Sequence, residues 1–360
     1  MESRFPSCIL VWFVCSGLLF SCARVQSAFH IPKNFKISSL IVFGDSIVDP
    51  GNNNYINTPS RANFPPYGQD FLGGVPTGRF CNGMIPSDYL AQALSIKELL
   101  PAYLDPNLQP ADLLTGVSFA SGGCGYDPVS SAIEVARTLS QQMDQFREYK
   151  TKLNSLVGEN ATTQIISQSL FLVVAGSNDI VNTYFDVGVR KKQYDIQSYT
   201  TFLANSAGDF VTELYNSGAR LLGLVNVPPL GCLPSQRTLA GGIERKCVEQ
   251  YNQAAIMFNS KLSSVIDTFS DKYADAQAVV IDIYNPLMEL IQNPVSNGFT
   301  VVDKGCCGTG ELEVTVLCSQ ELNPLIKPCS DASKYVFWDS FHPTQATYQL
   351  LVSGIYADYF

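Results

Sequence analysis

Short unbroken apolar runs alternate along this chain with longer stretches in which apolar residues recur at helical spacing. The first run, Leu40, Ile41, Val42 and Phe43, is bounded by Gly44 and opens into the polar turn Asp45-Ser46. That is the pattern of a strand buried on both faces in a parallel sheet. Gly116 to Gly123 predicts a second strand ending in a glycine turn. Ser169 to Asp179 predicts a third, Leu221 to Val227 a fourth and Ala278 to Tyr284 a fifth. Helices are expected from Pro86 to about Leu94, Ser131 to Val157, Tyr199 to Asn216, Val248 to Tyr273, and after Pro343. In the second of these Leu139, Met143, Phe146 and Leu153 form an apolar stripe read as core. Strands alternating with helices predict an α/β fold around one parallel sheet. Asp49 to Gly83 is dense in Asn, Pro and Gly, and so long a loop is usually functional.

In open α/β sheets ligands bind at the carboxyl ends of the strands. Ser46, Gly122 and Asn178 each follow such an end. Taken singly they are ordinary: Gly-Asp-Ser is common turn composition, and an Asn after a strand usually caps the next helix. Near the other end of the chain a short apolar run, Tyr335 to Trp338, leads into Asp339, and His342 follows three residues later. The chain has two histidines, and His30 lies in the N-terminal extension, so a histidine-dependent mechanism has one candidate. If the turn after Asp339 is helical, Asp339 and His342 share a face and the carboxylate can fix the imidazole. Acyl transfer needs a nucleophile, a base, a group that orients the base, and donors for the oxyanion. Ser46, His342 and Asp339 fill the first three roles. The N–H groups of Ser46 and Gly122 and the side-chain amide of Asn178 fill the last. Activity should fall in acid, because a charged His342 cannot take the serine proton.

Composition narrows the setting. With 46% hydrophobic and 15% charged residues the chain can bury a large core, and a formal charge of −9 with no basic cluster argues against nucleic acid and anionic membranes as partners. Arg4 precedes an apolar run from Cys8 to Phe20, followed by small residues up to Ala28, which reads as a signal peptide over 1–27 cleaved near Ser27. The remainder, 28–360, is read as one domain without a transmembrane segment. In an oxidising compartment its cysteines are expected mostly as disulfides. Cys232 with Cys247 is one bridge, and Cys306, Cys307, Cys318 and Cys329 supply two more of unassigned connectivity. Cys81 and Cys124 are left as buried thiols. Asn160-Ala161-Thr162 is a glycosylation acceptor. Arg79 is read as a structural ion-pair or carbonyl binder, and Asn52, Asn53 and Asn54 as braces of the Ser46 turn.

The blocks FGDSIVDPGNNN, GVSFASGGCG, AGSND and WDSFHPT together resemble the plant GDSL esterase/lipase family of the SGNH hydrolases. PPYGQDFLGGVPTGRFCNG and IKELLPAYLDPNL are similar to its extracellular lipase subgroup. The resemblance implies a three-layer α/β/α flavodoxin-like fold with a central parallel sheet of about five strands. It implies secreted hydrolysis of carboxylic esters, small-molecule or lipid, in the cell wall or apoplast, with no cofactor and no metal. The family's nucleophile falls on Ser46, its oxyanion Gly on Gly122, its Asn on Asn178, and its acid and base on Asp339 and His342. Cys124 departs from the alanine usual in the family and is expected to narrow the pocket. An extracellular acyltransferase building polyesters and a silent binding protein on the same scaffold are the alternatives. Loops Asn182 to Gln197 and Asn297 to Ser330 are expected to set pocket depth, and oligomeric state is left open.

Overall fold

The computed structural model describes residues 28–31 and 36–360, so the expected signal peptide, with Cys8, Cys15 and Cys22, lies outside the described residues. In chain order the elements are β1 (Ser39–Gly44), α1 (Pro86–Ala93), α2 (Pro110–Thr115), α3 (Pro128–Glu134), α4 (Leu139–Val157), α5 (Glu159–Ser167) and β2 (Ser169–Val174). A π-helical segment Asp179–Asp186 follows, then α6 (Ile196–Asn216), β3 (Leu221–Val225), α7 (Pro234–Ala240), α8 (Glu249–Lys272), β4 (Gln277–Ile281) and α9 (Tyr284–Gln292). The chain ends with β5 (Val301–Gly305), β6 (Tyr335–Phe337) and α10 (Gln345–Tyr359).

Four strands form the central parallel sheet in the order β1-β2-β3-β4. The second expected strand is present in a looser form. Val117 to Ser121 runs beside the outer edge of β1, where Val42 N–H donates to the Val117 carbonyl (3.1 Å) and the N–H groups of Phe119 and Ser121 donate to the carbonyls of Val42 and Gly44 (2.8 and 2.9 Å). Counting that segment second in chain order, the sheet reads 2-1-3-4-5, the flavodoxin-like order. Every residue of β1, β2 and β3 is buried, which is why these strands are continuous apolar runs rather than alternations.

Side chains of successive strand residues fall on opposite faces. One face, with Ile41, Phe43, Phe171, Val173, Leu222 and Leu224, packs against α4, α6 and α8 through residues such as Phe146, Phe210 and Phe258. The other, with Leu40, Val42, Leu172, Val174 and Ile281, meets Leu90 of α1 and Val352 of α10. The result is the three layers expected.

Asn160 is exposed in the first turn of α5, just beyond the end of α4 at Val157. Two expectations change. The long helix expected over Ser131 to Val157 is two, α3 and α4, because Val135 takes a left-handed conformation (φ 53°) and Thr138 starts a new helix by capping Gln141. Tyr335 to Trp338 does supply a strand, but β6 pairs with β5 in a separate two-stranded parallel sheet. Among the described residues no helix is long and apolar enough to cross a membrane.

The cysteines pair as Cys232–Cys247, Cys306–Cys329 and Cys307–Cys318, with Cys81 and Cys124 free and buried. The last two bridges close loops within the segment Cys306 to Cys329, which backbone hydrogen bonds tie to the end of β6, the N–H groups of Cys306 and Cys307 donating to the carbonyls of Phe337 and Trp338. Arg79 is the structural ion-pair partner expected: its guanidinium grips both carboxylate oxygens of the fully buried Asp88 at 2.8 Å and also donates to the carbonyls of Pro50 and Leu100. His30 is exposed and tied to Gln277 at the amino end of β4, away from the carboxyl ends of the strands.

Candidate active site

The carboxyl end of β1 is fixed before Ser46 is reached. Gly44 has φ 140°, and a Cβ there would run into the Val174 carbonyl, so this sharp exit from the strand requires glycine. The side-chain amide of the buried Gln142 on α4 brackets Gly44, accepting its N–H and donating to its carbonyl, both at 2.9 Å. Asp45 N–H donates to the Val174 carbonyl (3.0 Å), and the Asp45 carboxyl accepts the Ile47 N–H (3.0 Å). Ser46 is thereby set at the strand end with 9% of its surface exposed.

Asp339 and His342 come together, but not on a helix. Asp339 closes a tight turn in which its Oδ1 accepts the N–H groups of Phe341 and His342 at 2.8 and 2.7 Å. The turn folds the imidazole back over the carboxylate, with Nδ1 2.9 Å from Oδ1 and 2.8 Å from Oδ2. The Nε2 atom then lies 2.8 Å from Ser46 Oγ. Residues 296 apart in sequence thus meet, and Asp339 and His342 are both buried. The Phe80 ring packs against the imidazole at 5.2 Å.

Tyr67 is a further partner that the sequence reading did not single out. Its hydroxyl donates to Asp339 Oδ2 (2.8 Å) and accepts the N–H of Thr315 (2.8 Å), in a pocket shared with Phe80 and Trp338. Burial, and then the neighbouring Asp339, raise its phenol well above the ordinary value, so it stays a donor to the carboxylate. Nothing in the sequence aims the ring at Asp339.

The two glycines of the glycine turn are placed differently. Gly122 N–H donates to Asp49 Oδ2 (3.0 Å) and is therefore already engaged. Gly123 instead lines the cavity over Ser46, and its N–H donates to no acceptor among the described residues. It has φ 91° and a Cβ would strike Glu134, so this position too requires glycine. Asn178 is where expected, on the cavity wall. One amide hydrogen goes to the Cys124 carbonyl (2.8 Å) and its Oδ1 faces the Asn182 amide (3.3 Å), leaving the other hydrogen for a ligand.

Asn52 and Asn53 brace this glycine turn rather than the Ser46 turn. Asn52 donates to the carbonyls of Ser118 and Ala120, and Asn53 to those of Ser60 and Gly122, all within 2.9 Å. Asn54 holds the Thr77 carbonyl (2.8 Å). Cys124 does not narrow the pocket, since its side chain is wholly buried in the core on the opposite face of the sheet from α1 and α10.

Ser46, Gly123, Asn178 and His342 share one cavity of about 370 Å³. Asn182, Asp186, Val314 and Thr315 contribute to its wall, so both loops expected to shape the pocket do so. The turns around it hold buried carboxyls. Loss of hydration raises Asp45 from 3.8 to about 7 and Asp49 and Asp179 to about 6, against hydrogen bonds that pull the other way. Each holds its proton more tightly folded than unfolded. Its contribution to stability is therefore complete below about pH 4 and lost as pH rises through about 6 to 7. The expected result is a melting temperature several degrees higher at pH 5 than at pH 7.5, from a few kcal/mol of linkage. Calorimetry at the two pH values checks this, and an equal or lower melting temperature at pH 5 would contradict it.

A hydroxyl within hydrogen-bond reach of an imidazole that is itself held by a carboxylate can be deprotonated as it attacks. The family model described as GDSL-like Lipase/Acylhydrolase matches residues 40–355 of the chain. The chain is 48% identical over 342 residues to GDSL esterase/lipase EXL3 of Arabidopsis thaliana, covering 95% of this chain and 93% of that protein. It is 46% identical over 362 residues to GDSL esterase/lipase EXL2 of the same plant, covering 97% and 95%. A crystal structure of phospholipase A1 from Streptomyces albidoflavus aligns over 88% of this chain and 99% of its own, with 15% identity and a TM-score of 0.36.

Proposed function

Because the chain belongs to the GDSL-like lipase/acylhydrolase family and is a carboxylic ester hydrolase, we propose that it cleaves acyl esters through an acyl-enzyme on Ser46. Ser46 Oγ attacks the carbonyl carbon while its proton passes to His342 Nε2. The bond from carbonyl carbon to alcohol oxygen breaks, and that oxygen takes the proton from His342. Water then attacks the acyl-enzyme, gives a proton to His342, and the acid leaves as the proton returns to Ser46 Oγ. Asp339 holds the imidazole in one tautomer and stabilises its charged form. The N–H groups of Ser46 and Gly123 and the free amide hydrogen of Asn178 receive the oxyanion.

The observation that carries this reading is the continuous relay Ser46 Oγ to His342 Nε2 at 2.8 Å and Nδ1 to Asp339 at 2.8 Å, opening into a cavity. Labelling with a serine-reactive phosphonate tests it. The wild type should be labelled and Ser46→Ala should not, and an unlabelled wild type would overturn the reading. Asn178→Ala removes one oxyanion donor and is expected to lower kcat about 10²- to 10³-fold with little change in KM, measured on a soluble ester. A loss expressed in KM alone would exclude Asn178 from that role.

We also propose that residues 1–27 are removed on export, that 28–360 works as one domain outside the cell, in the wall or apoplast, and that Asn160 is glycosylated. Three disulfides support an oxidising setting, and Asn160 is exposed. The mass of protein recovered from the extracellular fluid checks this. It should correspond to a chain starting near Ala28 plus a glycan that Asn160→Gln removes, and an intact N-terminus would exclude export by cleavage.

A further inference from the structure

The cavity at Ser46 continues beneath one helical layer of the fold. Val174, Val225 and Ile281 are register partners at the carboxyl ends of β2, β3 and β4, and all three line it. Leu172, two residues further back on β2 and so on the same face, lines it as well. Leu90 of α1 and Val352 of α10 close it from the other side. These residues are buried and apolar, and they belong to the face of the sheet that meets α1 and α10. Ser46, Asn178, Asn226 and His342 follow strand ends or turns at the mouth, and Tyr348 of α10 adds a phenol to the lining. The space is thus a polar mouth over an apolar channel that runs back between sheet and helices.

We propose that this channel takes the acyl chain of the substrate, so that the protein selects esters of medium-chain carboxylic acids; the inference rests on reading Ser46 as the nucleophile. Its reach follows from α10. Tyr348 and Ile355 both line the cavity, and at a rise of about 1.5 Å per residue they lie about 10 Å apart along the helix. An extended alkyl chain, with bonds of about 1.5 Å at about 111°, advances about 1.25 Å per carbon. The channel therefore matches an acyl chain of about eight carbons. Each methylene moved from water into it favours the reaction by about fourfold in kcat/KM. Beyond that length the chain must turn or leave methylenes in water, and the gain ends.

The test uses p-nitrophenyl esters of two to sixteen carbons with the secreted protein. The expected profile rises on the order of 10³-fold from the acetate to about the octanoate and then levels or falls. Val352→Phe fills the channel and is expected to collapse the ratio of octanoate to acetate kcat/KM by at least tenfold. If that variant does not fold, Ile355→Ala, at the far end, is expected to move the optimum to longer chains. Octyl acetate distinguishes the two sides of the ester, and a preference for it over an octanoate ester would overturn the acyl assignment. Turnover of acetate esters with a flat length profile overturns the channel alone, whereas a wild type that neither turns over esters nor reacts with phosphonate overturns the underlying reading.

Discussion

Replacing Ser46 by alanine is expected to lower kcat for ester hydrolysis by about 10⁶-fold, and His342→Ala by nearly as much, with the double variant scarcely slower than either. The non-additivity is the informative part. A nucleophile without its base and a base without its nucleophile are equally idle, so the two losses describe one event. Asp339→Asn should cost about 10⁴-fold, because an amide at that place favours the wrong imidazole tautomer. Ser46 is one small side chain beside a cavity, so Ser46→Ala should melt close to the wild type and the loss cannot be assigned to unfolding. Steady-state rates with a chromogenic ester decide the matter. A Ser46→Ala protein that keeps more than a hundredth of the activity would remove Ser46 from the chemistry.

The second large effect concerns stability. Arg79→Met is expected to destabilise the fold by about 3–5 kcal/mol, a substantial part of the 5–15 kcal/mol available to a typical domain. Asp88 has no solvent exposure, and among the described residues Arg79 is its one charged partner; the remaining donors to it are the backbone N–H groups of Ile85 and Leu100. Removing the guanidinium leaves a charge buried with only those dipoles around it. It also frees the carbonyls of Pro50 and Leu100, which anchor the loop after β1. Urea unfolding measures the change, and a loss below about 1 kcal/mol would mean that water reaches Asp88.

The sequence made the central strands legible because a strand buried on both faces has no alternative to an apolar run; β2 and β3 lie within the spans expected, and β1 extends the expected run by one residue at each end. The segment from Val117 to Ser121 was legible as extended chain, yet its partial pairing with β1 depends on backbone contacts that leave no trace in composition. The break at Val135 was hidden because a β-branched residue in a left-handed conformation is the opposite of a helix-stop signal. At the site, Ser46, Asn178, Asp339 and His342 could be nominated from their positions after strands and from the scarcity of histidine. The choice between Gly122 and Gly123 could not be read from adjacent identical residues. It depends on which N–H Asp49 captures, and that carboxylate lies 73 residues earlier in the chain. The targets of Asn52 and Asn53 and the link from Tyr67 to Asp339 were out of sight for the same reason. Each rests on one or two hydrogen bonds between distant segments.

The 296 residues between hydroxyl and imidazole also set a clock on synthesis. At about 5–20 residues per second, roughly 15 to 60 s pass after Ser46 is polymerised before a ribosome adds its base. On the proposed mechanism the nascent chain holds throughout that interval a nucleophile with nothing to activate it, so it cleaves no ester met during translation. Any product ending before Asp339 should be inert toward a phosphonate, however well its first strands have folded.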